Sequence, residues 1–415
     1  MKKSEKLTSL SLIREVYRIL LSSGRTYAAF QEKKIFPLVE SLSGRKEILD
    51  PMSGYGSLMS YCSKVGISSF GLEFNMPLYL WQVLNHPKNT ILFKQCINKL
   101  HEKKRKWPRT SQLATVSDEW FPEESKSLFL GFYNIVCQIL SKDTNNNKKT
   151  KEFALAFLLP FAGRLSSSVQ GNMTTHVKRG GLCIYKNLVN DFEEYLSVVK
   201  NRLEAIEKIS NSKKHIIILG DCRTYKFPRN YFSAMITSPP YPNHRDFSAV
   251  FIVENELIRW LVEDKAIKFN SIDGLAIGTN IVSGREKVEV RSEVVRNFLE
   301  KILHYKDPKR EKASYDNKVY YIPYFSRYFF DLEQAYVNII PSLRKNFEGY
   351  INVVNNTTRD QIVPLAQFII EFWKRNGFNT EIFSQKESFH VGTKNPRARG
   401  FKAKHMEYII KISRR

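Results

Sequence analysis

Three deficits of the sequence each exclude a class of protein. Cysteines number only five, and they are odd in number, widely scattered and without metal-ligand spacing: Cys62, Cys96, Cys137, Cys183 and Cys222. We therefore expect a reduced, cytoplasmic protein with no structural zinc and no other bound metal. No window reaches the roughly 18 uncharged apolar residues of a membrane span, so the sequence predicts no membrane-spanning segment.

Acidic charge is also scarce relative to basic charge. Lys and Arg total 65 against 41 Asp and Glu, which gives a formal net charge of +24 and a pI near 9.7. Such an excess favours a polyanionic partner, with nucleic acid first and a membrane surface second. The 415 residues, 42% of them hydrophobic, suffice for one large core with insertions or for two domains.

Strand and helix patterns alternate along the chain. "EILDPMSGYGSL" (Glu47–Leu58) predicts a strand running into a glycine turn, and "SSFGLEFN" (Ser68–Asn75) predicts a second strand. Strand patterns resume at "HIIILGD" (His215–Asp221) and "YFSAMITSPPY" (Tyr231–Tyr241), and the chain ends on "TEIFSQ" and "EYIIKIS". This alternation predicts an α/β fold with a mostly parallel sheet. The last two strands, which no helix separates, predict an antiparallel finish.

Acidic side chains follow three of the predicted strands, namely Asp50, Glu73 and Asp221. Ligands of open α/β sheets bind outside the carboxyl ends of the strands, so we expect these acids to face one crevice. Gly54 and Gly56 let a ligand approach the backbone and the first amides of a helix. A plain turn and a solvated glutamate are the alternatives. Because a glycine–lysine phosphate loop is missing, the pattern favours a nucleoside over a triphosphate.

Two short motifs, "DPMSGYGS" and "TSPPY", together resemble those of the amino-methyltransferases that act on exocyclic amines of nucleic-acid bases. That family carries an Asp-Pro-Phe-x-Gly-x-Gly loop and a Ser/Asn/Asp-Pro-Pro-Tyr loop. Met52 replaces the usual phenylalanine, and Ser57 stands where threonine is common. The resemblance covers about Arg25 to Asn75 and Lys214 to Arg415. It implies a Rossmann-like class I methyltransferase fold, with a seven-stranded, mostly parallel sheet, an antiparallel terminal strand and inserted target-recognition segments.

The resemblance also implies an activity. A methyl group would pass from S-adenosylmethionine to the exocyclic amine of a flipped-out base, leaving S-adenosylhomocysteine. The Thr-Ser-Pro-Pro-Tyr form looks most like the cytosine-N4 branch, which acts on double-stranded DNA within restriction-modification systems, so a cognate restriction endonuclease is a possible partner. Three alternatives stay open: adenine-N6 methylation of DNA, methylation of RNA by the same loop, and a nucleic-acid-binding protein that has lost catalysis.

The same resemblance assigns roles to single residues. The Ser238 hydroxyl and the Pro239 carbonyl would accept hydrogen bonds from the amine, the Pro239–Pro240 pair would hold both acceptors rigidly, and Tyr241 would stack on the base. The cofactor-binding residues fall into three groups: Asp50, Met52, Gly54, Gly56 and Ser57 for the methionine portion, Glu73 for the ribose hydroxyls, and Asp221 with the adjacent Cys222 for the adenine amino group.

A basic loop lies between the last two predicted strands, at His390–His405. It contains five cations and no acid: Lys394, Arg397, Arg399, Lys402 and Lys404. Phosphates need cations close to the catalytic face, so we expect this loop to contact nucleic acid, with a merely solvated loop as the alternative. His244 and Arg245, just after the proline pair, are predicted to contact phosphates or to separate the strands.

These assignments divide the chain into three segments. Residues 1–75 would form an N-terminal helix and the cofactor-binding part of the core. Residues 76–213 would form a mainly helical insertion that is one candidate for target recognition. Residues 214–415 would complete the core with the catalytic loop, and a smaller insertion at about 242–328 is the other candidate.

Overall fold

The computed structural model describes residues 32–42, 44–45, 47–103, 121, 123–144, 146–165, 168–170, 177–179, 188–209, 213–242, 251–261, 276–279, 282, 287–306, 316–388 and 405–414. Within these ranges the α-helices are α1 (Glu32–Ser41), α2 (Ser57–Val65), α3 (Met76–Leu84), α4 (Thr90–Lys103), α5 (Glu123–Thr144), α6 (Asn147–Leu165), α7 (Leu188–Ile209), α8 (Ile252–Leu261), α9 (Glu293–Leu303), α10 (Ile322–Ile339) and α11 (Leu365–Arg375). Short 3-10 turns lie at Pro87–Asn89 and Ile340–Ser342, and a π-helical turn at Asn317–Tyr321 leads into α10.

The strands of the same ranges are β1 (Glu47–Asp50), β2 (Ser68–Glu73), β3 (Ser168–Gln170), β4 (Val177–Arg179), β5 (His215–Leu219), β6 (Phe232–Thr237), β7 (Leu343–Asn355), β8 (Thr357–Thr358), β9 (Gln361–Ile362), β10 (Phe378–Ser388) and β11 (His405–Arg414). The pairs β3–β4 and β8–β9 form small antiparallel sheets of their own.

Seven strands form one sheet in the order β10-β11-β7-β6-β1-β2-β5. Neighbouring strands from β7 to β5 are parallel, whereas β11 runs antiparallel to both of its neighbours, β7 and β10. The predicted α/β fold with a mostly parallel sheet and an antiparallel finish is therefore confirmed. The architecture is compatible with a Rossmann-like fold.

The central strands are buried on both faces because helices cover both sides of the sheet. Every residue of β6 is buried, as in β1. Successive side chains of a strand point to opposite faces. Met235 accordingly packs with residues of α9, α10 and α11 such as Phe329, whereas Ala234 and Ile236 pack with residues of α1 and α2 such as Leu38. Such two-sided burial explains the nearly continuous apolar run in β6.

The described residues belong to two compact units. One unit contains the described residues from 76 to 209 together with 251–261, and the other contains those of 32–75, 213–242 and 276–414. The seven-stranded sheet lies wholly in the second unit. In the first, α6 packs against α3, α5, α7 and α8, and the stacked rings of Phe132 and Phe192 lie 3.9 Å apart between centroids.

The unit boundary at Asn75 and Met76 coincides with the end of the predicted segment 1–75. Helix α8 belongs to the first unit, with residues 76–209, although its residues fall within the smaller insertion predicted for the core. The N-terminal helix expected before residue 32 lies outside the described residues. Target recognition by 76–213 or 242–328 stays a prediction. Among the described helices none has the length and apolar character to cross a membrane.

We predict that Gly349→Ala destabilises the sheet. Gly349 lies in β7, where a Cβ would come 2.9 Å from the Phe347 ring and 3.0 Å from the Met235 carbonyl oxygen. Overpacking of this kind lowers the free energy of unfolding by about 1–3 kcal/mol. Urea unfolding followed by circular dichroism measures the change. Gly44→Ala is the matched control, since a Cβ there meets no atom within 4 Å. Equal stability of the two variants would contradict the packing described for β7.

Candidate functional site

The predicted strand-end residues meet at one edge of the sheet. Asp50 ends β1, Glu73 ends β2, Asp221 follows β5 after one glycine, and Ser238 directly follows β6. The four strands are neighbours in the order β6-β1-β2-β5 and run parallel, so their carboxyl ends share an edge. A candidate site of polar side chains is therefore built on adjacent strands of the second unit.

The glycine loop between β1 and α2 is held against β2. Both the backbone N–H and the hydroxyl of Ser53 donate to the Leu72 carbonyl, at 3.0 and 3.2 Å. Gly54 and Gly56 have φ of 53° and 73°, in the left-handed region where glycine carries no steric penalty. Gly56 forms the N-cap of α2, and a Cβ on Gly54 would meet no atom within 4 Å. The loop is thus open on the side of Gly54.

Glu73 fastens this loop to the end of β2. Its two carboxylate oxygens accept hydrogen bonds from the backbone N–H groups of Gly54 and Asn75, each at 2.7 Å. Burial and, to a smaller extent, the nearby charge of Asp50 raise the pKa of Glu73 to about 8, although these hydrogen bonds act to lower it. The backbone N–H of Phe74 also hydrogen-bonds to this carboxyl, which leaves about one of its four acceptor positions for a ligand.

Asp50 joins the glycine loop to the loop after β6. Its Oδ1 accepts hydrogen bonds from the Thr237 hydroxyl at 2.8 Å and from the Met52 backbone N–H at 3.3 Å. Burial raises the pKa of Asp50 to about 7. Thr237 belongs to the quoted "TSPPY" motif, but sequence reasoning gave it no role. Its side chain turns out to link two parts of the site that are far apart in the chain.

The Asp221 carboxylate accepts hydrogen bonds from Arg223, a residue to which the sequence analysis gives no role. Arg223 donates to it from its backbone N–H at 2.9 Å, from Nε to both oxygens, and from Nη2 at 2.7 Å. Arg223 also pairs with buried Asp331 at 3.0 Å, and Arg327 pairs with Asp331 from one helical turn away. Three Arg223 protons therefore occupy the Asp221 carboxylate, and the Nε proton is shared between its two oxygens.

Cys222 lies next to this ion-pair cluster and is buried. Its carbonyl accepts a hydrogen bond from Asn338 Nδ2 at 2.9 Å, and burial raises the pKa of its thiol well above the usual range. A thiol that stays protonated is a poor nucleophile. The described part of the chain contains no group of three or more His, Cys, Asp or Glu side chains suited to a metal ion.

The loop after β6 is tied down from several sides. The Ser238 hydroxyl donates to the Asn352 carbonyl of β7 at 3.1 Å and lies 2.8 Å from the Tyr241 hydroxyl. Tyr328 of α10 donates its hydroxyl proton to the Pro240 carbonyl at 2.7 Å. Burial raises the pKa of Tyr241 to about 12, so its phenol is neutral under ordinary conditions. The described residues of this loop, 238–242, are thus held by hydrogen bonds to β7 and α10.

The contacts from Asn352 and Tyr328 could not be found by reading the sequence locally. Asn352 lies 114 residues after Ser238, and Tyr328 lies 88 residues after Pro240. No motif marks either residue. The predicted nucleic-acid contacts His244, Arg245, Lys394, Arg397, Arg399, Lys402 and Lys404 lie outside the described residues.

The comparisons with known proteins add no assignment to this site. The chain matches no protein-family model, and no curated protein matches its sequence.

We predict that the buried carboxyl of Asp50 makes the protein less stable as the pH rises. Its pKa of about 7 in the folded state lies above the ordinary value of 3.8, so the folded state holds a proton that the unfolded state releases. Between about pH 4 and pH 7 this group lowers the free energy of unfolding by up to about 1.4 kcal/mol per pH unit.

Asp50→Asn should remove this contribution, since an amide oxygen can still accept from Thr237 and Met52. Urea unfolding at a series of pH values compares the two proteins. We expect the variant to show a smaller loss of stability from pH 4 to pH 8. Parallel curves for the two proteins would show that Asp50 is ionised throughout.

Proposed function

We propose that this chain is a methyltransferase that uses S-adenosylmethionine and modifies an exocyclic amino group of a nucleic-acid base. The observation that carries the proposal is the 2.8 Å hydrogen bond between Thr237 and Asp50. It holds the loop with the amine-accepting Ser238 beside the glycine loop, although 187 residues separate the two partners in the chain. The sheet order and the single antiparallel strand support the finer assignment to the Rossmann-like class I methyltransferases.

The chemistry of the donor set fits S-adenosylmethionine. Apart from its carboxylate, this cofactor carries an ammonium, a sulfonium and a ribose diol, which are cations or hydrogen-bond donors. The site offers two buried carboxylates, Asp50 and Glu73, beside the open backbone at Gly54. A bound cation would favour the ionised form of both acids. A phosphate group would instead be repelled by them, which disfavours a nucleoside triphosphate at the same place.

Each part of the site would hold one part of the cofactor, which when bound supplies an electrophilic methyl group. Asp50 would accept from the amino end, and Glu73 would accept from the ribose hydroxyls through its remaining acceptor position. Gly54 and Gly56, with Met52 and Ser57 beside them, would surround the methionine portion. Asp221 could accept from the adenine amino group only after Arg223 gives up a contact, and the backbone near Cys222 would lie next to the adenine ring.

The residues of the loop after β6 would orient the amine of the substrate. An aromatic amine is a poor nucleophile because its lone pair is delocalised into the ring. The Ser238 hydroxyl donates its own proton to the Asn352 carbonyl, so its oxygen is available to accept a hydrogen bond from the amine. With a second acceptor in the Pro239 carbonyl, the lone pair would be aimed at the methyl group. The nitrogen would gain the methyl group as the methyl–sulfur bond of the sulfonium breaks, S-adenosylhomocysteine would be the leaving group, and one proton of the amine would pass to water.

The target base and the partners follow from the resemblance of the motif. The Ser238 form favours N4 of cytosine in double-stranded DNA, with a cognate restriction endonuclease as a partner. The mechanism is unchanged for N6 of adenine or for a base of RNA, because Ser238 can accept from any of these amines. Intact Ser238, Pro239, Pro240 and Tyr241 argue against a chain that binds nucleic acid without catalysis.

The decisive experiment is the transfer of radiolabelled methyl from S-adenosylmethionine to unmethylated duplex DNA, followed by digestion and mass spectrometry of the nucleosides. We expect N4-methylcytosine. N6-methyladenine would keep the mechanism and change the base. No transfer to duplex DNA, together with transfer to structured RNA, would assign the activity to RNA. No transfer to either polymer would refute the proposed function.

We predict that Ser238→Ala lowers kcat by roughly 10- to 100-fold, because the amine loses one of its orienting acceptors. The dissociation constant for S-adenosylmethionine should stay within about twofold, since Ser238 does not belong to the cofactor set. Ser384→Ala on the edge strand β10 is the matched control and should retain full activity. An equal loss of cofactor binding and of kcat would show that Ser238 supports the whole site and not the amine.

We predict that S-adenosylmethionine binds more tightly as the pH rises from about 6 to about 8. The free protein holds protons on Asp50 and Glu73, whose pKa values are raised to about 7 and about 8. A cationic ligand favours the ionised acids, so binding releases protons and the affinity rises by up to about tenfold per pH unit for each proton released.

Isothermal titration calorimetry in two buffers of different ionisation enthalpy measures this proton release directly. Asp50→Asn should reduce both the number of protons released and the dependence of the dissociation constant on pH. A dissociation constant that is the same at pH 6 and pH 8 would contradict the assignment of these two acids to the cofactor.

A further inference from the structure

A closed ring of hydrogen bonds joins Asn352 to the loop after β6. Asn352 Nδ2 donates to the Tyr241 hydroxyl oxygen at 3.4 Å, and the Tyr241 and Ser238 hydroxyl oxygens lie 2.8 Å apart. The Ser238 hydroxyl then donates to the backbone carbonyl of Asn352 at 3.1 Å. One residue of β7 thus contacts both ends of the Ser238–Tyr241 pair, once with its side chain and once with its backbone.

The ring has a defined direction. The one proton of the Ser238 hydroxyl goes to the Asn352 carbonyl, which can only accept, so Tyr241 is the donor in the 2.8 Å contact with Ser238. Asn352 Nδ2 donates to the Tyr241 oxygen and so occupies the acceptor that a Ser238 proton turned toward Tyr241 would need. Ser238 therefore accepts from Tyr241, and its own proton points to the Asn352 carbonyl. The one acceptor position that remains on Ser238 has no competing proton. A hydroxyl that is free to rotate could instead donate toward a substrate amine, which would place two donors against each other.

The buried Asn352 side chain lowers the stability of the folded protein. It is 94% buried, since its exposed fraction is 6%, and within the described residues its Oδ1 has no hydrogen-bond partner. A buried acceptor without a partner costs about 1–3 kcal/mol, and an apolar residue of the same shape avoids that cost. Stability alone therefore favours leucine at this position. The residue is better explained by what its amide does to Tyr241.

We infer that Asn352 is a positioning residue that sets the proton direction of the Ser238–Tyr241 pair, so that Ser238 meets the substrate amine as an acceptor. The inference rests on the proposed function, because it assigns Asn352 to the amine-orienting half of that reaction. Asn352 itself does not touch the substrate. It acts through Tyr241 and Ser238.

Asn352→Leu separates this role from a structural one. We expect the variant to unfold at the same urea concentration as the wild type or at a higher one, and to bind S-adenosylmethionine equally well. We expect its kcat for methyl transfer, measured with saturating cofactor, to fall by roughly tenfold or more. A residue that merely supports the fold would show the opposite pattern, with lower stability and retained kcat.

Asn352→Asp adds a signature in the pH profile. A protonated aspartic acid can donate to the Tyr241 oxygen as the amide does, whereas an ionised one accepts from Tyr241 and reverses the ring. The kcat of this variant should therefore be near that of the wild type at low pH and fall as the pH rises through the pKa of the new carboxyl. Because the cofactor is saturating, changes of its affinity that come from the titration of Asp50 and Glu73 do not alter the measured kcat.

Asn355→Asp is the matched control, since Asn355 is buried in the same strand but bonds to Gln367 and to the Ala366 backbone. Its kcat should follow the pH profile of the wild type even where its stability is lower. If the wild type transfers methyl groups and both Asn352 variants keep the wild-type kcat at every pH, the positioning role is wrong and the proposed function stands. If the wild type transfers none to DNA or RNA, both fall together.

Discussion

The hydrogen bond from Thr237 to Asp50 is the contact on which the rest of the site depends. It joins the ends of β6 and β1, two strands that are neighbours in the sheet but distant in the chain. Glu73, at the end of β2, accepts a hydrogen bond from the Gly54 backbone and so connects β2 to the same loop. Hydrogen bonds therefore link the three strand ends, which brings the glycine loop and the Ser238 loop together. Neither loop alone would define a site.

The same edge carries an electrostatic cost. Asp50 and Glu73 are buried near each other, and their pKa values are raised because the folded protein disfavours their charges. A site of this kind is least favourable when it is empty and ionised, and a cationic ligand relieves it. Under the proposed function the raised pKa values have one explanation: Asp50 and Glu73 suit a bound cation better than they suit the free protein.

The sequence alone predicts which residues end the strands, but it does not show which of their side chains already have partners within the protein. Asp221 was placed correctly at a strand end, yet its carboxylate is filled by Arg223, two residues further along. The pairing could not be foreseen because Arg223 is also oriented by Asp331, which lies in α10 and far along the chain. Asn352 and Tyr328 were missed for the same reason. Their partners are about a hundred residues away in the chain, so no local pattern marks them.

The sequence by itself determined the elements of the fold and the positions of the two loops. Apolar runs that end in an acid or in a proline pair are local patterns, and local patterns are enough to predict where a strand stops. Only the tertiary structure decided which side chains meet, because this depends on the register of strands that are not neighbours in the chain. The direction of the Ser238 hydroxyl is the clearest case, since its proton goes to a carbonyl of β7 that lies 114 residues further along the chain.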